Sequence, residues 1–245
     1  MNFESLSTNT IVFDIETIRN DKSMEYLEKH KKWKAKGNIK DPDKKLKDIK
    51  DQQENLASKA ALHWWLGSII CIGIYHVEKD RYQEFYGHDE KKVLSEFFNY
   101  LEIHQGVELI GKSSKQFDIP YTIGRAIAND IGIPRALIMN KHRRIVDVDE
   151  IFSFSSQSSQ TGSLNDYAWG MGITMKCGSG EHMQDMYNQT LLDDTKFQDI
   201  AKYCRGDVEI TKELLRRYKK PYANLDQQTI MAFLDIKKDE DDLPC

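Results

Sequence analysis

The sequence predicts an α/β protein in which a mixed sheet carries helices on both faces. Three observations lead there. The run NTIVFDIE at Asn9–Glu16 is β-branched and aromatic and ends in acids, the pattern of a buried strand with a polar tip. The runs at Ser68–Val77 and Arg81–Tyr86 are separated by Glu78, Lys79 and Asp80 and predict an antiparallel hairpin. Beyond them strand-like and helix-like segments alternate, and a layered sheet covered by helices is the arrangement that buries both kinds of apolar surface.

Taken in order, Arg19–Glu54 has almost no apolar periodicity and holds 12 Lys+Arg against 8 Asp+Glu. It predicts a charged, solvated insertion of two helices broken around Gly37–Pro42. The second helix, Asp43–Leu62, follows an Asp-Pro-Asp cap. Such a basic arm also suits contact with a phosphate backbone. Asp89–His104 places Val93, Leu94, Phe97, Phe98 and Leu101 on one helical stripe. Val107–Gly111 is a short strand, Asp118–Asn129 a helix, and Arg144–Val148 a further short strand. Helices are predicted at Leu164–Trp169, Thr195–Tyr218 and Asp226–Ile236. Ser153–Ser163 (SFSSQSSQTGS) is a loop, and Asp239–Asp242 is solvent-facing charge. We expect one domain over 1–245, with the insertion at about 19–62 and a disordered tail at about 237–245.

The chain has 245 residues and a formal net charge of −4, which argues against a protein that simply coats nucleic acid. No apolar run approaches the length of a membrane span, and the opening MNFESLSTNT lacks the blocks of a secretory signal. A cytoplasmic protein without a membrane partner is expected. The four cysteines, Cys71, Cys177, Cys204 and Cys245, form no CxxC pair and are expected to be free thiols.

The chemistry lies in a set of acids. Asp14 and Glu16 are two apart on a strand, so their side chains leave the same face. Two carboxylates held together repel each other unless cations sit between them. Asp118 opens a helix after the loop GKSSKQF, and Tyr203 and Asp207 lie four apart on another helix, sharing a face. Each alone has a bland reading: a strand-end cap, an N-cap, a helix-surface pair.

Together they resemble the DEDD superfamily of 3′–5′ exonucleases, whose fold is ribonuclease H-like with a five-stranded sheet. FDIET at Phe13–Thr17 is similar to its first motif, GKSSKQFD at Gly111–Asp118 to its second, and YCRGD at Tyr203–Asp207 to its third. Tyr four residues before the last Asp matches the tyrosine subclass, and the likeness, from about Asn9 to Tyr218, is greatest to stand-alone polymerase-B-like exonucleases predicted in bacteria and phages. The resemblance implies that Asp14, Glu16, Asp118 and Asp207 hold two divalent ions, Mg²⁺ or Mn²⁺, with Asp14 bridging them, and that Tyr203 orients the attacking water. Hard ions suit an all-carboxylate site, and two such ions serve phosphodiester hydrolysis by activating water and neutralising the leaving oxygen. It further implies that the backbone at Ile15 and Thr17 approaches the terminal nucleotide, that the position of Ser113 helps hold the substrate strand or the loop, and that Phe117 belongs to the substrate site; Lys112, Lys115 and Arg205 flank the proposed ligands and suit either the phosphates or plain solvent exposure. The family's second motif usually has Asn where this chain has Ser113.

Other features are weaker. Lys141, His142, Arg143 and Arg144 form a basic cluster suited either to a nucleic-acid backbone or to solubility. Trp64 and Trp65 are expected in the core rather than stacked on bases. Cys177 and His182 lack the further ligands a structural zinc needs. The expected substrate is single-stranded nucleic acid, DNA ahead of RNA, with a replicative polymerase in trans as a partner. The competing readings are an exoribonuclease of the same fold and a nucleic-acid-binding module without catalysis.

Overall fold

The sheet grows outward from its central strand, β1 (Thr10–Arg19), whose alternating side chains serve two separate cores. The computed structural model describes residues 9–30, 32–104, 106–138, 146–153, 162–176 and 180–222. After β1 come α1 (Asp21–His30) and α2 (Pro42–Ser58), then the hairpin β2 (Gly67–His76) and β3 (Arg81–Tyr86). There follow α3 (Glu90–Ile103), β4 (Glu108–Gly111), α4 (Asp118–Ala128), β5 (Val146–Asp147) and α5 (Val148–Ser153). The described chain ends with α6 (Leu164–Gly170), α7 (Met183–Thr190) and the long α8 (Phe197–Tyr222). The strand order is β3-β2-β1-β4-β5; β1 is antiparallel to β2 and parallel to β4, and β4 is parallel to β5.

Ile11, Phe13 and Ile15 of β1 join Ile72 and Ile74 of β2 against α3 and α4, in a core that includes Leu94, Phe97, Leu101 and Ile119. The stripe expected on α3 is its buried face, residue for residue. On the other side of the sheet Val12 and Tyr75 meet Val208, and Cys71 meets Ile200 and Cys204, so α8 covers that face. Gly73 makes this packing possible. A Cβ there would lie 2.8 Å from Cys204 Sγ, so only a bare backbone lets α8 come this close to the sheet.

Several boundaries differ from expectation. β1 does not stop at Glu16 but pairs on to Arg19, past a bulge where Glu16 faces Cys71 and Thr17 faces Ile69. Bulges re-aim side chains, and this one sits beside the acidic pair. The helix expected over Asp43–Leu62 ends at Ser58 and continues as a 3-10 turn over Ala60–Leu62. Its cap is as expected, with Asp41 accepting from the N–H groups of Asp43 and Lys44. Val148 opens a helix instead of ending a strand, and α7 has no counterpart in the sequence pattern. The cluster Lys141–Arg144, Cys177, most of the Ser153–Ser163 loop, the helix expected at Asp226–Ile236 and the acidic tail lie outside the described residues. Among the described residues no helix is long and apolar enough to cross a membrane.

Candidate active site

Asp14 and Glu16 leave β1 on the face covered by α8, which brings them to Tyr203 and Asp207. At the centre of this group, ligand atoms of Asp14, Glu16 and Cys204 lie within 4.8 Å of one another. Asp118 comes from the opposite side, at the start of α4, where its Oδ1 accepts the Ile15 N–H at 3.3 Å. β4 pairs with β1 only as far as Val12, so the Ile15 amide is left to a side chain, and Asp118 takes it. Four carboxylates on three elements thus meet beside one strand.

Their electrostatics follow from that crowding. Burial, then repulsion from Asp207, Asp118 and Glu16, holds Asp14 well above the usual carboxylate range. Glu16 is raised in the same way by burial and by Asp207. Burial pushes Asp118 up to about 7 against the hydrogen bonds it accepts from its own amide and that of Ile15. Asp207 is raised by burial and held back by Lys176. Glu16 Oε1 and Asp207 Oδ1 are buried without a hydrogen-bond partner. Buried carboxylate oxygens without donors are costly, and a hard divalent cation satisfies them and reverses the repulsion. The donor set therefore fits Mg²⁺ or Mn²⁺.

One residue of this centre lies beyond what the sequence motifs mark. Lys176 Nζ lies 2.5 Å from Asp207 Oδ2 and 4.1 Å from the centroid of the Tyr203 ring. Burial alone would lower the Lys176 pKa, but the attraction and hydrogen bond of Asp207 raise it, so it stays charged. It sits in an irregular stretch with no periodicity, and nothing in its neighbourhood of sequence singles it out.

Asp147 escapes the motifs for a similar reason. It is buried at the end of β5 and binds the loop before α4: Oδ1 accepts from the amides of Ser113 and Asp149, at 3.0 and 2.9 Å, and Oδ2 from that of Lys115 at 3.0 Å. Ser113 has a φ of 55°, a left-handed conformation that Asn adopts more readily than Ser, and the Asp147 clamp holds it there. This loop sets the start of α4 and hence Asp118.

The remaining expected residues are placed as follows. Ile15 packs into the α3–α4 core, and Thr17 donates from Oγ1 to Ala61 O at 2.8 Å. Phe117 packs against the same core, beside Tyr121. Lys112 and Ser113 both bond Asp149, and Lys115 pairs with Glu150 at 2.5 Å, so these three face carboxylates of α5. Arg205 turns from the four acids to Glu84 and the Tyr82 ring on β3. Cys71 and Cys204 are free, as expected. Trp64 and Trp65 are not core residues: they are 40% and 55% exposed, because the turn before β2 carries them outside the sheet layers.

Residues 66–239, more than half of the chain, match the family described as "Predicted 3'-5' exonuclease related to the exonuclease domain of PolB". The chain belongs to this family. The match starts after Asp14 and Glu16, which enter the exonuclease through β1. The fold of the exonuclease is similar to that of the family B DNA polymerase from the hyperthermophilic archaeon Pyrobaculum calidifontis, with a TM-score of 0.54 at 16% identity. That likeness covers 85% of this chain and 24% of the polymerase, so the chain spans about a quarter of that protein's length. It establishes a ribonuclease H-like fold of the polymerase-exonuclease kind. No curated protein matches the sequence.

Proposed function

We propose that the chain is a metal-dependent 3′–5′ exonuclease of the tyrosine subclass that releases nucleoside 5′-monophosphates from single-stranded DNA. The observation that carries this is the meeting of Asp14, Glu16, Asp118 and Asp207 around buried, unpartnered carboxylate oxygens. These four residues would hold the Mg²⁺ or Mn²⁺ ions, which supply a polarised water and charge neutralisation at the scissile phosphate. The reaction adds water across the last P–O3′ bond: hydroxide joins phosphorus, and the proton goes to the departing 3′ oxygen of the shortened strand.

The protein's own groups position and tune. Tyr203, one helical turn from Asp207, is the group suited to orient the attacking water through its hydroxyl. Lys176 opposes the upward push of burial on the Asp207 carboxyl and adds a fixed positive charge beside a phosphate that gains negative charge in the transition state. Asp147 holds the loop that aims Asp118. The relation of the family to a polymerase exonuclease domain favours DNA over RNA as the substrate and a polymerase as a partner.

The test uses 5′-labelled single-stranded DNA and the matching RNA with Mg²⁺, Mn²⁺ or EDTA, beside Asp14→Ala. A ladder shortening from the 3′ end that needs metal and vanishes in the variant is expected, with DNA cut faster. A faster RNA ladder would make this an exoribonuclease. No ladder from either strand, in a folded protein, would leave a binding module.

A further inference from the structure

We propose that His63, Trp64 and Trp65 form a shelf on which bases of the single-stranded substrate stack a few nucleotides before the scissile bond; this rests on the exonuclease reading above.

The three rings form one aromatic surface, with Trp64 and Trp65 exposed and His63 half-buried beside them. His63 and Trp65 are stacked, with centroids 4.7 Å apart and planes at 26°. Trp64 meets Trp65 edge to face at 5.7 Å and 86°. The surface is open to solvent, yet the backbone beneath it is held rigidly. Trp64 lies over Gly124 of α4, where a Cβ would come within 2.5 Å of the indole, so the glycine makes room for the ring. Arg125 donates to Trp64 O at 3.2 Å and pairs with Glu90 at 2.6 Å. Glu90 in turn accepts the Ile69 N–H of β2 at 2.7 Å. An exposed aromatic surface on a pre-organised backbone loses little entropy when it binds a flat ligand.

Its position selects the ligand. Ala61 O accepts from Thr17 Oγ1 at 2.8 Å and from the Tyr121 hydroxyl at 2.9 Å. Thr17 follows Glu16 on β1, and Tyr121 lies one turn along α4 from Asp118. Both carboxylate-bearing elements are therefore tied to one carbonyl, four residues before Trp65, which puts Trp65 Cα at most ~15 Å from that of Ala61. A stacked strand rises ~3.4 Å per nucleotide, so a strand running from the acids towards the shelf would reach it within a few nucleotides of its 3′ end. The preceding segment, with 12 Lys+Arg against 8 Asp+Glu over 19–54, suits the phosphates of the same strand. Stacking on such a shelf is tolerant of sequence, because every base has a π-face.

The test measures affinity in EDTA for fluorescein-labelled oligothymidylate of eight nucleotides and for the same strand with abasic sites at the second to fifth positions from the 3′ end. The wild-type chain should bind the abasic strand at least about 5- to 150-fold more weakly, the value of one stacked base. Trp65→Ala should bind the intact strand that much more weakly and no longer distinguish the two, Trp65→Phe should recover most of the difference, and Ile103→Ala, at the far end of α3, should behave as wild type. Equal discrimination by Trp65→Ala and wild type, or none by wild type, would overturn the shelf, the latter also being the result if the surface serves a protein partner. Hydrolysis of the intact strand with Mn²⁺ is scored separately: a ladder with no base discrimination sinks the shelf alone, and Trp65-dependent discrimination with no ladder keeps the shelf and sinks the exonuclease.

Discussion

Lys176 places its ammonium 2.5 Å from Asp207 and over the ring of Tyr203, making it the one described cation bonded to the four-carboxylate centre. Its charge opposes the repulsion that raises Asp14 and Glu16. Removing one partner of a largely buried ion pair leaves the other charge uncompensated, at about 3 kcal/mol. Lys176→Ala should therefore lower stability in EDTA by roughly that amount, and Mg²⁺ or Mn²⁺ should restore most of it, since added cations take over the same compensation. Thermal melts of both proteins with and without metal check this; an equal deficit in both conditions would mean that Lys176 only packs.

The same crowding makes stability depend on pH in a stated direction. Asp118 ionises near 4 in an unfolded chain and near 7 in the fold, and Asp14 and Glu16 shift upwards with it. Between those values the folded state binds more protons than the unfolded one. The stability Asp118 contributes is full below about pH 4 and is lost as pH rises through about 7, and that of Asp14 and Glu16 is lost in the same direction. In EDTA the melting temperature should fall by several degrees from pH 5 to pH 8, and the rise on adding Mn²⁺ should be larger at pH 8. A melting temperature in EDTA that climbs over that range would refute the assignment.

Tyr203 offers a cleaner separation of chemistry from folding. Tyr203→Phe keeps the ring under Lys176 and removes only the hydroxyl. A positioned group of this kind contributes about 10²–10⁴ in rate, so kcat should fall within that range with little change in melting temperature. A loss below tenfold would remove Tyr203 from the reaction and leave it a ring for Lys176.

Asp147 touches no part of the acidic centre directly but supplies acceptors for the amides of Ser113, Lys115 and Asp149. Asp147→Ala strands those donors and frees the loop before α4, and a displacement of about 1 Å at a reacting group costs around 10² in rate. We expect kcat to fall by about that factor with KM little changed, and Asp147→Asn, which keeps one acceptor oxygen, to recover part of it. Equal losses for the two variants would point to a need for the charge.

The frame of this molecule is readable in its sequence because the strong signals are periodic. The β-branched run of β1, the α3 stripe and the Asp41 cap are local patterns, and the stripe and the cap appear where expected while the strand runs on past its expected end. Asp14, Glu16, Asp118, Tyr203 and Asp207 are each bland alone and stand out only together, through the resemblance of their three motifs to those of the DEDD exonucleases. Lys176 and Asp147 act through partners 31 residues and up to 34 residues away from irregular or two-residue elements, and no spacing rule reaches that far. The tryptophans depart from expectation for a different reason. Hydrophobicity predicts burial only where a layer is available to cover the side chain, and the turn before β2 buries Ala60 and Leu66 while leaving a side of each indole to solvent.

Gly73 is the point where the two layers and the chemistry depend on one hydrogen atom. A Cβ there would stand 2.8 Å from Cys204 Sγ and 3.4 Å from Val208 Cγ2. Gly73→Ala must push α8 away from β2, and overpacking of this kind costs about 1–3 kcal/mol. Because Tyr203 and Asp207 ride on α8 while Asp14 and Glu16 stay on β1, the same shift opens the acidic centre, so kcat should fall at temperatures where the protein remains folded. Cys204→Ala removes the atom that the new methyl meets. The double variant should then be more stable than the sum of the single effects predicts, and more active than Gly73→Ala alone. Simple additivity in both readouts would mean that the contact with Cys204 does not set the distance between sheet and helix.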